Sequence, residues 1–232
     1  MPSTLVLVHT IPALVDLFAD WCSEDLPGVT ILHVLDEPML ERIRRRGHGA
    51  VEDVERLAQH LALAGAVGAD AVLVTCSTVS LDVAAARASV AIPVVTIDDA
   101  MADEAIRLGH RVALVATATT TIGPSMALLE AAGARAGRPV HVSARLVEGA
   151  LAALRAGDPA THDALVASAV RAIGAEADVV VLAQATMARA LDAIKASGVP
   201  VPVLASPPLA LAEVRRLLAQ GATGPAPERP EV

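Results

Sequence analysis

ADAVLVTCST (69–78) and ADVVVLAQAT (177–186) are two versions of one phrase, and the constant shift of 108 residues between them decides how the chain is organised. In each copy an Ala-Asp pair leads into a run of β-branched and aliphatic residues, the pattern of a strand covered on both faces. Short polar residues follow, and then an Ala-rich stretch with helical spacing. Farther along, IPVV (92–95) in the first copy matches VPVL (201–204) in the second with one residue of slippage. A duplicated strand and helix unit predicts two similar lobes.

Strand-like runs recur at TLVLVH (4–9), VTILHV (29–34), AVLVTC (71–76), PVVTI (93–97), RVALVA (111–116), DVVVLA (178–183) and PVLA (202–205). Between them, helical spacing is expected over 50–68, 79–88, 98–108, 123–133, 160–175, 187–196 and 207–219. The alternation predicts an α/β fold with mostly parallel sheet flanked by helices. The lobes are expected to comprise residues 1–97 plus 207–220, and 98–206; GATGPAPERPEV (221–232) reads as a flexible tail.

Composition narrows the function. The chain has 232 residues and is 54% hydrophobic, yet no apolar stretch approaches the roughly 18 residues of a membrane helix. The opening segment lacks a basic region ahead of its short apolar run, so it reads as a strand, not a signal peptide, and a cytoplasmic location is expected. Two cysteines give no disulfide framework. A net charge of −8, one Phe, one Trp and no Tyr argue against a nucleic-acid partner, which needs a basic face and stacking aromatics. The basic run Arg42 to Arg46, flanked by Glu41, Glu52 and Asp53, reads as a solvated helix face.

Ligands of parallel α/β sheets bind beyond the carboxyl ends of the strands. The candidate ligand-facing residues at those ends are His9 and Thr10; Cys76, Ser77 and Thr78; Thr117, Thr119 and Thr120; and Gln184, Ala185 and Thr186, with Ala185 offering only its backbone N–H. Their hydroxyls and N–H groups suit a small carboxylate with no cationic side chain. No phosphate-binding glycine motif follows any strand, so a nucleotide is not expected. His48, His60, His110, His141 and His162 show neither metal spacing nor pairing with cysteine, so no metal site is expected.

Cys76 reads either as a small buried hydrophobe or as a catalyst. Its place ahead of Ser-Thr at an expected helix start favours the thiolate, and so the second reading. Cys22 lies in LFADWCSEDL among acidic neighbours and reads as a packing residue. His9 is a candidate second acid or base, or else hydrogen-bonded structure. His33 is a weaker candidate of the same kind, with Asp36 and Glu37 beside it read as solvated or capping. Gln184 cannot ionise near neutral pH; it either orients a ligand and stabilises an oxyanion, or caps a helix.

On three of these stretches the chain resembles the aspartate/glutamate racemase superfamily, including hydantoin racemases, maleate isomerases and arylmalonate decarboxylases. GADAVLVTCST (68–78) is similar to the family's first cysteine strand, RVALVATATT (111–120) to its Thr-rich substrate loop, and DVVVLAQATM (178–187) to its second cysteine strand. The resemblance spans residues 4 to about 220. It implies two flavodoxin-like lobes with pseudo-two-fold symmetry, no cofactor, and a substrate carboxylate held between the lobes, with Thr117 and Thr120 as its contacts. It leaves a homo-oligomer open.

Family racemases use two cysteines, one on each face of the substrate carbon. Where the hydantoin racemase pattern has its second cysteine, this chain has Gln184, and the repeat pairs the same residue with Cys76 at the shift of 108. The expected activity is a cofactor-independent isomerisation through Cys76, with His9 or water in place of the second thiol. The alternatives are a single-cysteine lyase, such as a decarboxylase of a malonate-like acid, and a small-acid binding protein without catalysis.

Overall fold

The Ala-Asp pair at the head of each quoted phrase has a structural role. In the computed structural model, which describes residues 2–221, Asp70 accepts the backbone N–H of Thr4 at 2.7 Å. Asp178 likewise accepts the N–H of Arg111 at 2.9 Å and that of His110 at 3.0 Å. Each carboxylate thus fastens the start of one strand to the start of its neighbour. The chain forms two compact units, one running to Thr96 and resuming at Ala210, the other being Ile97–Leu209. The expected tail lies, apart from Gly221, outside the described residues.

The first unit contains β1 (Thr4–His9), α1 (Ala13–Asp25), β2 (Thr30–Leu35), α2 (Glu37–Arg46), α3 (Val51–Ala66), β3 (Ala71–Val74), α4 (Ser80–Ala86) and β4 (Val94–Thr96). Its strands lie in the order β2-β1-β3-β4, all parallel. Val6, Val8, Val72 and Val74 turn one face toward Met39, Ile43, Leu57, Leu61 and Val83 of α2, α3 and α4. Leu5, Leu7 and Leu73 alternate with them and are fully buried. Helix α1 buries Leu14, Phe18 and Cys22. Such alternation is what a two-faced parallel strand requires.

The second unit repeats the plan with α5 (Asp99–Leu108), β5 (Arg111–Ala116), α6 (Thr119–Arg135), β6 (His141–Leu146), α7 (Ala150–Arg155), α8 (Pro159–Gly174), β7 (Val179–Leu182), α9 (Leu191–Ala196) and β8 (Val203–Ala205). Its order is β6-β5-β7-β8, again all parallel. Ala113, Val115, Val180 and Leu182 feed one core with α8 and α9. Val112, Leu114, Val179 and Val181 feed the other with α5 and α6. From Ala71 to Val179 the shift is 108, and from Val94 to Val203 it is 109. The duplication expected from sequence is therefore a duplication of sheet topology. A final helix, α10 (Ser206–Gly221), starts in the second unit and belongs to the first from Ala210 onward.

Seven strands were expected, and eight form among the described residues. The eighth is β6, HVSARL, an edge strand whose side chains are mostly exposed. An edge strand needs no unbroken apolar run, so the pattern that reveals central strands misses it. Strand β2 is the other exposed edge: Leu32 and Leu35 remain open to solvent, so the cover on both faces that its apolar run predicts is absent there. The helix expected to begin at 123 starts at Thr119, and α7 lies outside the expected helices.

The basic run is more than a solvated face. Arg42 and Arg46 hydrogen-bond the two oxygens of the buried Asp53 at 2.6 and 3.0 Å, so α2 is clamped to the start of α3. Asp36 is buried, as a solvated carboxylate would not be, and accepts from Met39 N at the start of α2. Arg56 and His60 of α3 also hydrogen-bond it.

Candidate active site

The β1–β3 register sets Val8 against Val74, so the next residues along, His9 and Thr75, stand side by side, and Thr10 and Cys76 follow one step beyond the ladder. The expected strand over 71–76 ends early, and Cys76 lies past its end with extended φ −110° and ψ 108°. A 3-10 turn, Ser77–Val79, follows and then the seven-residue α4. The helix expected behind the thiol is therefore broken and short, which weakens the dipole argument. Cys76 is 5% exposed, and Ser80 donates its hydroxyl to the Cys76 carbonyl at 3.4 Å.

The second unit repeats this strand end with different side chains. Gln184 follows β7 with φ −135° and ψ 140° and leads into a 3-10 turn, Ala185–Ala190. Its side chain does not cap that turn; Oε1 accepts the backbone N–H of Thr117 at 2.7 Å. Ala185 is buried and Thr186 half-buried. Thr119 and Thr120 are exposed in the first turn of α6.

Thr10 and Thr117 occupy corresponding places after β1 and β5. Both are buried, and the hydroxyl oxygen of each finds no hydrogen-bond partner among the described residues. A buried polar atom left unsatisfied costs about 1–3 kcal/mol. A ligand that hydrogen-bonds it would remove that cost.

His9 is fully buried and both of its ring nitrogens are engaged, Nδ1 with Thr75 Oγ1 at 2.8 Å and Nε2 with His33 Nδ1 at 2.9 Å. Burial, and then the neighbouring His33, push its pKa down to about 4. His33 is lowered as well by burial, with Asp16 pulling the other way. The Cys22 thiol is pushed up to about 11 by burial first and Asp25 second, and it packs in the core. Among the described residues, no group of three or more His, Cys, Asp or Glu is set to hold a metal ion. Among the same residues, no helix is long and apolar enough to cross a membrane.

Residues 8–214 match the family model for Asp/Glu/Hydantoin racemase. The chain belongs to that family. Among curated proteins none matches it. A glutamate racemase isoform from Bacillus anthracis has a similar structure, with a TM-score of 0.68 and 20% identity over 94% of this chain and 82% of the other. An allantoin racemase from Klebsiella pneumoniae gives 0.70 and 21% over 94% and 89%. A glycine-to-cysteine mutant of arylmalonate decarboxylase in its sulfate-associated form gives 0.60 and 21% over 98% and 97%. At these identities the family member shares the fold with them.

Sequence reasoning did not single out Thr75, which links His9 to the strand bearing Cys76, or Ser206, whose fully buried hydroxyl has no partner among the described residues. The β1–β3 register would have found Thr75. For Ser206 the signal was its place at the end of β8, the strand that repeats β4.

Proposed function

We propose that this family member is a cofactor-independent isomerase of a small carboxylate, with the Cys76 thiol as the group that moves the proton. What carries the reading is the matched pair of strand ends: Cys76 after β3 and Gln184 after β7, in like backbone geometry and each ahead of a 3-10 turn. Cys76 as thiolate takes the α-proton, the C–H pair moves into an enolate, and S–H forms. The corresponding residue of the second unit is an amide that does not ionise near neutral pH, so water returns a proton to the opposite face, and the hydroxide it leaves takes the proton from Cys76 S–H and restores the thiolate. With Oε1 of Gln184 occupied by Thr117 N–H, its NH2 group is left to donate to a carboxylate or enolate oxygen. Thr10, Ser77, Thr78, Thr117, Thr119, Thr120, Ala185 and Thr186 supply the remaining hydroxyl and N–H donors.

Incubating amino acids, hydantoins and hydroxy acids with the protein in deuterated water tests this. Deuterium is expected at the α-carbon of at least one class, falling by about a hundredfold or more in Cys76→Ala, the usual scale of acid–base catalysis. Exchange that survives the substitution unchanged would overturn the reading.

The amide at Gln184 also favours a second reading, a lyase. Loss of carbon dioxide from a malonate-like acid leaves an enolate that Cys76–SH protonates on one face only, and a single thiol suffices. It predicts carbon dioxide release and a product of one handedness from aryl- or alkylmalonates; a racemic product would count against it.

A further inference from the structure

A line of side-chain hydrogen bonds that the proposed chemistry does not use runs beneath the strand end bearing Cys76. Thr75 Oγ1 donates to the Val8 carbonyl at 3.1 Å, an oxygen that also accepts Thr75 N–H at 3.0 Å. A hydroxyl has one proton to give. With that proton on Val8, Oγ1 meets His9 Nδ1, 2.8 Å away, only as an acceptor, so Nδ1 carries a hydrogen. In a neutral imidazole the other nitrogen is then a lone pair. His9 Nε2 therefore accepts from His33 Nδ1, 2.9 Å away. The direction of the line is set throughout, from His33 to His9 to Thr75 to Val8.

The surroundings hold this arrangement. The His9 and His33 rings meet edge to edge, with centroids 5.2 Å apart and 19° between planes, as an in-plane N–H to N hydrogen bond requires, and Phe18 closes on His9 at 5.6 Å. His9 is sealed from solvent while His33 is exposed, with Asp16 acting on it. A proton taken up by the pair goes to His33 Nε2, which leaves both hydrogen bonds of His9 unchanged. Protonating His9 would break the His33 bond and bury a charge.

We propose that His33 locks His9 as a neutral Nδ1–H donor, and that His9 in turn holds Thr75 and so sets the strand end that presents Cys76. His9 and His33 are positioning residues for the thiol, an assignment that rests on Cys76 being the reactive group. The amide nitrogen of Asn at position 9 stands where Nδ1 does; that of Gln stands nearer Nε2. A merely structural histidine would not separate these two substitutions.

Two measurements on the full chain test it. Nitrogen-15 shifts of labelled histidine are expected to show His9 as the Nδ1–H tautomer between pH 5 and 8, and His33→Phe is expected to mix the tautomers. An Nε2–H His9 in the parent overturns the proposal. Alkylation by iodoacetamide, read at Cys76 by peptide mass so that Cys22 does not intrude, is expected to stay near the parent rate in His9→Asn and Thr75→Ser. It is expected to shift by about tenfold, the scale of one hydrogen bond, in His9→Gln and Thr75→Val. Equal rates in the Asn and Gln variants overturn it. An inert Cys76 beside an Nδ1–H His9 would defeat the thiol reading; a reactive Cys76 beside an Nε2–H His9 would defeat the hydrogen-bond line.

Discussion

The backbone N–H of Thr117 donates to Oε1 of Gln184 across 2.7 Å, tying the ends of β5 and β7 and fixing which way the amide faces. Gln184→Glu keeps an acceptor for that N–H, whereas Gln184→Ala leaves it without one and is expected to cost about 1 kcal/mol in urea unfolding. Gln184→Cys puts a second thiol at the strand end matching Cys76. It is expected to raise α-deuterium exchange on the substrate that shows exchange in the parent, and to extend it to the mirror-image isomer.

His9 makes stability depend on pH. Its folded pKa of about 4 lies below the value near 6.5 of an unfolded histidine. The unfolded chain therefore binds the extra proton between those values, and the contribution is complete above pH 6.5 and lost as the pH falls toward 4. His33, also lowered, adds in the same direction, while Asp16 opposes it. Urea midpoints at pH 7, 5.5 and 4.5 are expected to fall in the parent and to fall less in His9→Asn. An equal fall in both would show that the buried imidazole is not the cause.

How much was legible in the sequence depends on whether the signal was local. The runs that became β3, β5 and β7 are apolar without a break because both faces are covered, and that pattern is visible one strand at a time. The edge strand β6 carries His141, Ser143 and Arg145 and had no such mark. That Cys76 and Gln184 occupy matching places after β3 and β7 was legible because the chain repeats itself. The link between His9 and Thr75 was not, since it depends on the register of two strands separated by 66 residues. Asp36 could be read as a cap from its neighbours, but Arg56 and His60 reach it from α3, whose facing is decided by tertiary packing.

That Asp36 cluster predicts an acid limb separate from that of His9. Burial raises the pKa of a carboxylate, but hydrogen bonds from Arg56, His60 and Met39 N outweigh it here and bring Asp36 down to about 2. Its contribution is present above the unfolded value near 4 and is lost as the pH falls toward 2. Asp36→Asn is expected to cost about 1–3 kcal/mol at pH 7, since a charged acceptor is lost, and to flatten stability below pH 4. The difference between variant and parent is expected to shrink as the pH approaches 2.

Gly109 is a glycine for want of room, not for its backbone angles. Its φ of −172° is extended, open to any residue, but an added Cβ would lie 2.3 Å from the Cβ of Asp178. Asp178 has no freedom to retreat: its carboxylate takes the N–H groups of His110 and Arg111 and the Arg111 guanidinium at 2.7 Å. Gly109→Ala must therefore move the start of β5 away from β7, at a cost of about 1–3 kcal/mol, the range for overpacking. Asp178→Gly alone gives up the strand clip and also takes away the Cβ that Gly109→Ala would strike. In the double variant the clash is gone, so the loss is expected to be smaller than the sum of the two single losses. Urea unfolding of the four proteins measures this, and additive losses would show that the two residues do not press on one another.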